Sequence, residues 1–315
     1  MYYLGIDIGG TGIKIGVVTE KGTIIEKKRI PTKGLTGYEA VVEAMAKLAL
    51  ETIEASGLTI SDIEAVGIGI PGAADDKNGV AYYCNNLYMK NAPICEAFRK
   101  FIDLPTYLGN DANCAALGEF SLWEDKGVSN FVAVTLGTGI GGGIIINKKL
   151  YTGFNGIGGE IGHINLRYGD EPCSCGRCGC WEAYASATAL IRDTERAAKE
   201  NPTSLVASMI ENNGGRANGI IAFDAAKAGD ETGKIIVDNY IKYLGEGIID
   251  IINIFQPEIV AIGGGICNQG DNLLIPLREY VAPRTYGSGL VPATEIVIAT
   301  LGNDAGIIGA AFLAR

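Results

Sequence analysis

One pattern occurs twice in this chain, and it limits the available folds more than any other feature. Residues 3 to 25 run as an apolar strand, a Gly/Thr turn, a second apolar strand, a turn at Lys21-Gly22 and the start of a third strand. Residues 131 to 152, FVAVTLGTGIGGGIIINKKLYT, repeat that order. Two copies of one supersecondary unit point to an internal duplication. Between and after them the pattern changes. Residues 37 to 57 set Val41, Val42, Met45, Leu48, Ala49, Thr52 and Ile53 at helical spacing and stop at Gly57. Ile63 to Ile70 reads as a buried strand closed by Pro71-Gly72. A short helix over 93–102, a short strand over 106–108 and a helix over 112–120 follow. Residues 183 to 252 are mostly helical; EIVAIGGGI and EIVIAT are strands, and DAGIIGAAFLAR is a final helix. Strands alternating with helices predict an α/β fold with parallel sheet.

Composition narrows the functional classes. A length of 315 residues allows two domains, and a 47 % hydrophobic content supports a sizeable core. The 45 glycines are about twice the usual ~7 % share, whereas there are only 10 prolines. Low-complexity linkers would raise both, so the excess points to ordered tight turns. A net charge of −10 offers no footprint for nucleic acid. It also means that a phosphate site must rely on backbone N–H groups, a few lysines and a metal. The N-terminus, MYYLGIDIGG, lacks the basic start of a secretion signal. Apolar runs such as GIIGAAFLA are too short to span a bilayer. The expectation is a soluble cytoplasmic chain.

Five constellations are candidates for chemistry. In IDIGGTGIK, Gly9, Gly10, Thr11 and Gly12 can bring backbone N–H groups close to an anion, with Asp7 placed for a metal and Lys14 for phosphate. The plainer alternative is a β-turn. The segment is neither a Rossmann fingerprint nor a P-loop, because KIGVV continues as strand and GK[ST] is missing. LGTGIGGG supplies a second such turn at Gly137, Thr138 and Gly139, and Gly263-Gly264-Gly265 a third after EIVAI. Three of these from one fold suggest a bound nucleotide. Asn110-Asp111 opens an apolar helix, which fits either an N-cap or a carboxylate at the strand edge where α/β ligands bind. His163, the sole histidine, precedes Cys173, Cys175, Cys178 and Cys180. In a cytosolic chain, four thiols in one octet plus an imidazole suit tetrahedral zinc, and five candidate ligands suit a closed structural site. Glu160 and Glu182 flank this segment and can hydrogen-bond polyol hydroxyls or simply cap helices.

Taken in order, IDIGGTGIK, GIGIPG, NDANCAALGE, LGTGIGGG, GEIGH, CSCGRCGCWE, VAIGGGI and LGNDAGIIGAA resemble the ROK family (repressors, open reading frames and kinases), and within it the bacterial glucokinases. The resemblance spans nearly the whole chain. It implies the two-lobed actin-like ATPase (ribonuclease H-like) fold of hexokinases and Hsp70, with duplicated βββαβα units. Residues 1–118 would form a small lobe, completed by the C-terminal helix at about 303–315, and residues 119–302 a larger lobe with the zinc site. The family's zinc pattern falls on His163, Cys173, Cys175 and Cys180, while Cys178 stands at a variable position.

The implied sugar site comprises Gly72, Asn110, Asp111, Glu160, His163 and Glu182, with Asp111 as general base. ATP with Mg²⁺ would meet Asp7, the three Gly turns, Thr11, Thr138 and Lys14, and lobe closure would exclude water. NNLYMKNAP departs from the glucokinase pattern, which has Trp where Tyr88 or Met89 stands. Glucose is therefore the first expectation, with mannose, fructose, allose, N-acetylmannosamine and N-acetylglucosamine as alternatives. The family's sugar-responsive regulators carry an extra N-terminal helix-turn-helix domain; here the first strand begins by Tyr2 or Tyr3, which favours a kinase. The expected assembly is a homodimer or homotetramer, with no nucleic-acid or membrane partner.

Overall fold

The computed structural model describes residues 1–84 and 87–315. Tyr2–Ile8 (β1) buries both of its faces, with Leu4, Ile6 and Ile8 fully enclosed, and so takes the middle of a five-stranded sheet. Gly12–Thr19 (β2) pairs antiparallel with it, and Ile24–Pro31 (β3) continues the meander. β3 exposes every second residue, Lys27 and Arg29 among them, which keeps an edge strand from pairing further. Gly37–Ala55 (α1) buries the predicted stripe and crosses to Ile63–Ile70 (β4), which lies parallel to β1. Ala73–Asp75 (β5), Val80–Cys84 (β6) and Met89–Ala92 (β7) form a small antiparallel sheet absent from the sequence reading. β6 has no period-two pattern to announce it, because its central Tyr82 and Tyr83 are both exposed. Ile94–Arg99 (α2) leads to Thr106–Asn110 (β8), parallel to β4, and then to Asp111–Glu124 (α3).

The second set repeats the plan. Phe131–Leu136 (β9), Ile140–Ile146 (β10) and Lys149–Leu150 (β11) correspond to the first meander, although β11 is only two residues long. Helices Glu182–Ala185 (α4), Ala187–Glu200 (α5), Leu205–Asn212 (α6), Ile221–Lys227 (α7) and Glu231–Phe255 (α8) follow. Ile259–Gly263 (β12), Asp271–Val281 (α9), Glu295–Ile298 (β13) and Ala305–Phe312 (α10) complete the chain. The sheet orders are β3-β2-β1-β4-β8 and β11-β10-β9-β12-β13. Counted within each set, both orders are third, second, first, fourth, fifth. The duplication suggested by the repeated Gly/Thr turns is therefore present in the strand order itself.

Contacts divide the chain into two compact units, residues 1–131, 143–159 and 300–315 in one, 132–142 and 160–299 in the other. In the first unit, Leu4, Ile6 and Ile68 pack with Val42, Met45 and Phe98 on one face of the sheet. Tyr3, Val18 and Ala65 pack with Ile307, Ile308 and Phe312 of α10 on the other. Glycines set that second contact. A Cβ on Gly5 would stand 2.0 Å from the Ile307 carbonyl oxygen, and one on Gly67 would stand 1.7 Å from that of Ala310. In the second unit Trp181 is fully buried, donates Nε1–H to the Tyr243 carbonyl at 2.9 Å, and lies over Gly247 of α8, where no Cβ would fit. No helix among the described residues is long and apolar enough to cross a membrane.

Candidate functional site

In the first unit the candidate residues gather at the carboxyl ends of β1, β4 and β8. Asp7 lies opposite Lys14 in the hairpin register, and the two form an ion pair at 2.9 Å. The hairpin turn between them is closed by Gly9 N–H donating to the Gly12 carbonyl at 2.9 Å, while Thr32 Oγ donates to the Gly10 carbonyl at 3.0 Å. The side chain of Thr11 and the backbone of Gly10 face solvent. Gly12 is closely approached: a Cβ there would stand 3.0 Å from the Ile30 carbonyl oxygen and 2.8 Å from the movable Arg29 side chain.

Asn110 serves α3 as its N-cap. Its Oδ1 accepts from the N–H groups of Ala112 and Asn113 at 2.9 and 3.1 Å. The same side chain donates Nδ2–H to the Gly72 carbonyl at 3.1 Å. Gly72 has φ +103°, and a Cβ on it would sit 2.3 Å from the Tyr83 carbonyl oxygen, so glycine is required at this turn. One amide thus ties the Pro71-Gly72 turn to the start of α3. Asp111 is the first residue of that helix, and its Oδ1 accepts from Ala112 N–H at 2.9 Å. Its carboxyl group thus stands at the positive end of the helix dipole. Beneath lies Cys114, whose thiol is pushed well up by burial and then by the carboxylates of Asp7 and Asp111.

In the second unit Glu160 and His163 bracket one 3-10 turn, with His163 N–H donating to the Glu160 carbonyl at 3.1 Å. His163 Nδ1 lies 3.6 Å from Cys173 Sγ, and Cys175 Sγ lies 3.6 Å from Cys180 Sγ. All four ligand atoms fall within 4.8 Å of one another. Tetrahedral zinc, with bonds of about 2.3 Å to sulfur and 2.0–2.1 Å to nitrogen, spaces its ligand atoms about 3.6–3.8 Å apart. The group therefore fits such an ion. Within the group the Cys175 thiol is held below its usual range, first of all by the Arg177 backbone N–H, whereas burial pushes the Cys173 thiol up to about 11. Cys178 is exposed and stands outside the group. Instead, its carbonyl accepts from Asn165 Nδ2 at 3.0 Å.

Glu182 links this loop to the second Gly/Thr turn. Its Oε2 accepts from Ile140 N–H at 2.9 Å and its Oε1 from the Ser174 hydroxyl at 2.9 Å. Gly139 leaves it room, since a Cβ there would stand 2.0 Å from Oε2. The turn is pinned from the other side, as Ala187 N–H donates to the Gly137 carbonyl at 2.9 Å and Thr188 Oγ to that of Thr138 at 2.8 Å. Gly264, at φ +110°, lies against Leu136, with no space for a Cβ within 2.0 Å of the carbonyl oxygen. Gly265 then begins a 3-10 turn. The two Gly turns of this unit are thereby neighbours.

Each unit thus collects its own set: Asp7, Gly9 to Gly12, Lys14, Gly72, Asn110 and Asp111 in the first, Gly137 to Gly139, Glu160, His163, the metal group, Glu182, Gly264 and Gly265 in the second. Sequence reasoning missed Thr32, which steadies the first turn, and Ser174 and Arg177, which lie inside the metal loop. It also missed Gly306 of α10, whose missing side chain makes room for Asp7. Of the NNLYMKNAP segment, Asn85 and Asn86 lie outside the described residues; Tyr88 is exposed at φ +53°, and Met89 is buried.

The model of the ROK family matches residues 3–315. A glucokinase of Halalkalibacterium halodurans is 36% identical over 319 aligned residues, covering 100% of this chain and 95% of that protein. A glucokinase of Thermotoga maritima is 38% identical, covering 99% of this chain and 96% of its own. Among solved structures, a ROK family glucokinase from Streptomyces griseus, in complex with glucose and AMPPNP, superposes with a TM-score of 0.81 at 34% identity, covering 100% of this chain and 99% of that one. With the family matched from end to end and relatives this similar at full length, the chain belongs to the ROK family.

Proposed function

We propose that this chain transfers the γ-phosphoryl group of MgATP to the 6-hydroxyl of a hexose, with glucose as the preferred acceptor. The observation that carries this is the placing of Asp111, first residue of α3, at the carboxyl end of β8 beside Asn110 and Gly72. The likeness to glucokinases, one of them bound to glucose and AMPPNP, supports the substrates.

A sugar hydroxyl is far too weak an acid to ionise at neutral pH. Asp111 accepts its proton as the bond to phosphorus forms, and a positioned base of this kind contributes about 10² to 10⁴ in rate. Asn110 fixes the first turn of α3, so the carboxylate is oriented before substrate arrives. The loose phosphoryl-transfer transition state spreads negative charge over oxygens, which the backbone of the Gly/Thr turns and Lys14 would stabilise. Gly72, Asn110, Glu160, His163 and Glu182 are the proposed contacts to the sugar. Zinc in the His163, Cys173, Cys175 and Cys180 group would cross-link the 3-10 turn of His163 to the cysteine loop. His163 then offers its other ring nitrogen in one fixed orientation.

A coupled assay with ATP, Mg²⁺ and a panel of glucose, mannose, fructose, allose, N-acetylmannosamine and N-acetylglucosamine tests the assignment. The expected result is the highest kcat/KM for glucose. A tenfold preference for any other sugar in the panel overturns the choice of glucose, and no transfer to any of them overturns the kinase itself.

A further inference from the structure

Ser174 sits between two members of the metal group, Cys173 and Cys175, and its hydroxyl makes only a long contact of 4.0 Å with Cys173 Sγ. Its hydroxyl donates to Glu182 Oε1 at 2.9 Å. Glu182 Oε2 is held independently by Ile140 N–H at 2.9 Å. An ionised carboxylate offers about four acceptor positions. These two donors occupy one on each oxygen and, apart from a long contact with a neighbouring thiol, leave the others open. With both oxygens held, the carboxylate is restrained in tilt and rotation before a hydroxyl binds.

The neighbouring thiol makes this bond more consequential. Cys173 Sγ lies 3.7 Å from the same Oε1. At that length a thiol is a weak donor to the oxygen, whereas the Ser174 hydroxyl reaches the same atom at 2.9 Å. Ser174 is then the group of this loop that can hold Oε1 in place beside the sulfur. Because Ser174 is exposed and ligates nothing, its loss need disturb neither the fold nor the metal.

We infer that Ser174 is a positioning residue for sugar binding, holding the Glu182 carboxylate in the orientation that a sugar hydroxyl meets. The inference rests on the proposed role of Glu182 as a sugar contact. It makes the metal loop act on the sugar by two routes, through the His163 ring and through the Ser174 hydroxyl.

The test compares Ser174→Ala, Ser174→Thr and Glu182→Gln with the wild-type enzyme. Zinc is measured by elemental analysis, glucose affinity by calorimetry without ATP, and KM for both substrates by coupled assay. Ser174→Ala should keep its zinc and raise both the glucose Kd and KM about five- to tenfold, the scale of one lost hydrogen bond to a charged partner at an exposed site. Its KM for ATP should stay within about twofold, because the Ile140 bond to the Gly/Thr turn is untouched. Ser174→Thr keeps the hydroxyl and should restore wild-type constants. Unchanged glucose constants in a zinc-replete Ser174→Ala protein overturn the inference. So does loss of zinc, or an equal rise in both KM values, either of which reduces Ser174 to a support of the loop. Glu182→Gln separates the two levels: unchanged glucose constants there remove Glu182 itself from the sugar site, whereas a rise there without one in Ser174→Ala removes Ser174 alone.

Discussion

Replacing Asp111 with Asn separates chemistry from structure at the point where the assignment is most exposed. The amide has nearly the shape of the carboxylate, and its oxygen can still accept from Ala112 N–H, as Asp111 Oδ1 does at 2.9 Å. The cap of α3 is untouched, because it belongs to the neighbouring Asn110, with bonds of 2.9 and 3.1 Å to Ala112 and Asn113. What stability loses is one charge at the positive end of a helix, about 0.3–1 kcal/mol. What catalysis loses is the basic site, about 10² to 10⁴ in kcat, or roughly 3–5 kcal/mol at 1.36 kcal/mol per decade. The barrier cost exceeds the stability cost several-fold, so the two can be read apart. Turnover measured by a coupled assay should fall by at least two decades, while calorimetric glucose affinity and the melting temperature stay near those of the wild type. A kcat within about fivefold of wild type refutes the role of Asp111 as base, since a general base typically contributes about 10² to 10⁴ in rate.

Two further substitutions probe the second unit. Cys175→Ser should lose zinc and raise KM for glucose more than KM for ATP, because His163 and Glu160 share the turn that the metal would anchor; elemental analysis beside both constants is the check, and a zinc-free, folded protein with wild-type glucose affinity reduces the cluster to a staple. Gly264→Ala meets the Leu136 carbonyl at 2.0 Å in a φ of +110°, so a stability loss of about 1–3 kcal/mol in chemical denaturation and a raised KM for ATP are expected; unchanged values for both would show that this turn neither resists a side chain nor meets the nucleotide.

The sequence was most legible where a signal is local. The repeated Gly/Thr turns were readable because each strand carries its own apolar pattern, and the strand orders of the two sheets repeat accordingly. The metal group was readable because spacing brings the cysteines of one loop together and only one histidine was available to join them, although the choice among four cysteines rested on the family resemblance. Asn110 offered two readings, cap or site residue, and the structure shows why they were hard to separate. One amide caps α3 with its oxygen and fixes Gly72 with its nitrogen.

Other features were legible only in part, for want of a partner: 21 glycines among the described residues do take the positive φ of tight turns, but not all of the excess lies there. The glycine excess was attributed to turns, yet Gly5 and Gly67 lie inside strands and Gly118 inside a helix, where each leaves room for the backbone of α10. Their partners are hundreds of residues away in sequence, so no local pattern could distinguish a turn glycine from a packing one. Glu182 is the sharper case. As a sequence feature it is one acidic residue after a Cys-Trp pair, no different from a surface glutamate. Its orientation comes from an N–H in β10 and a hydroxyl in the cysteine loop. Motif spacing can nominate a carboxylate, but only the donors around it decide where its lone pairs point, and those donors come from elements that the fold alone brings together.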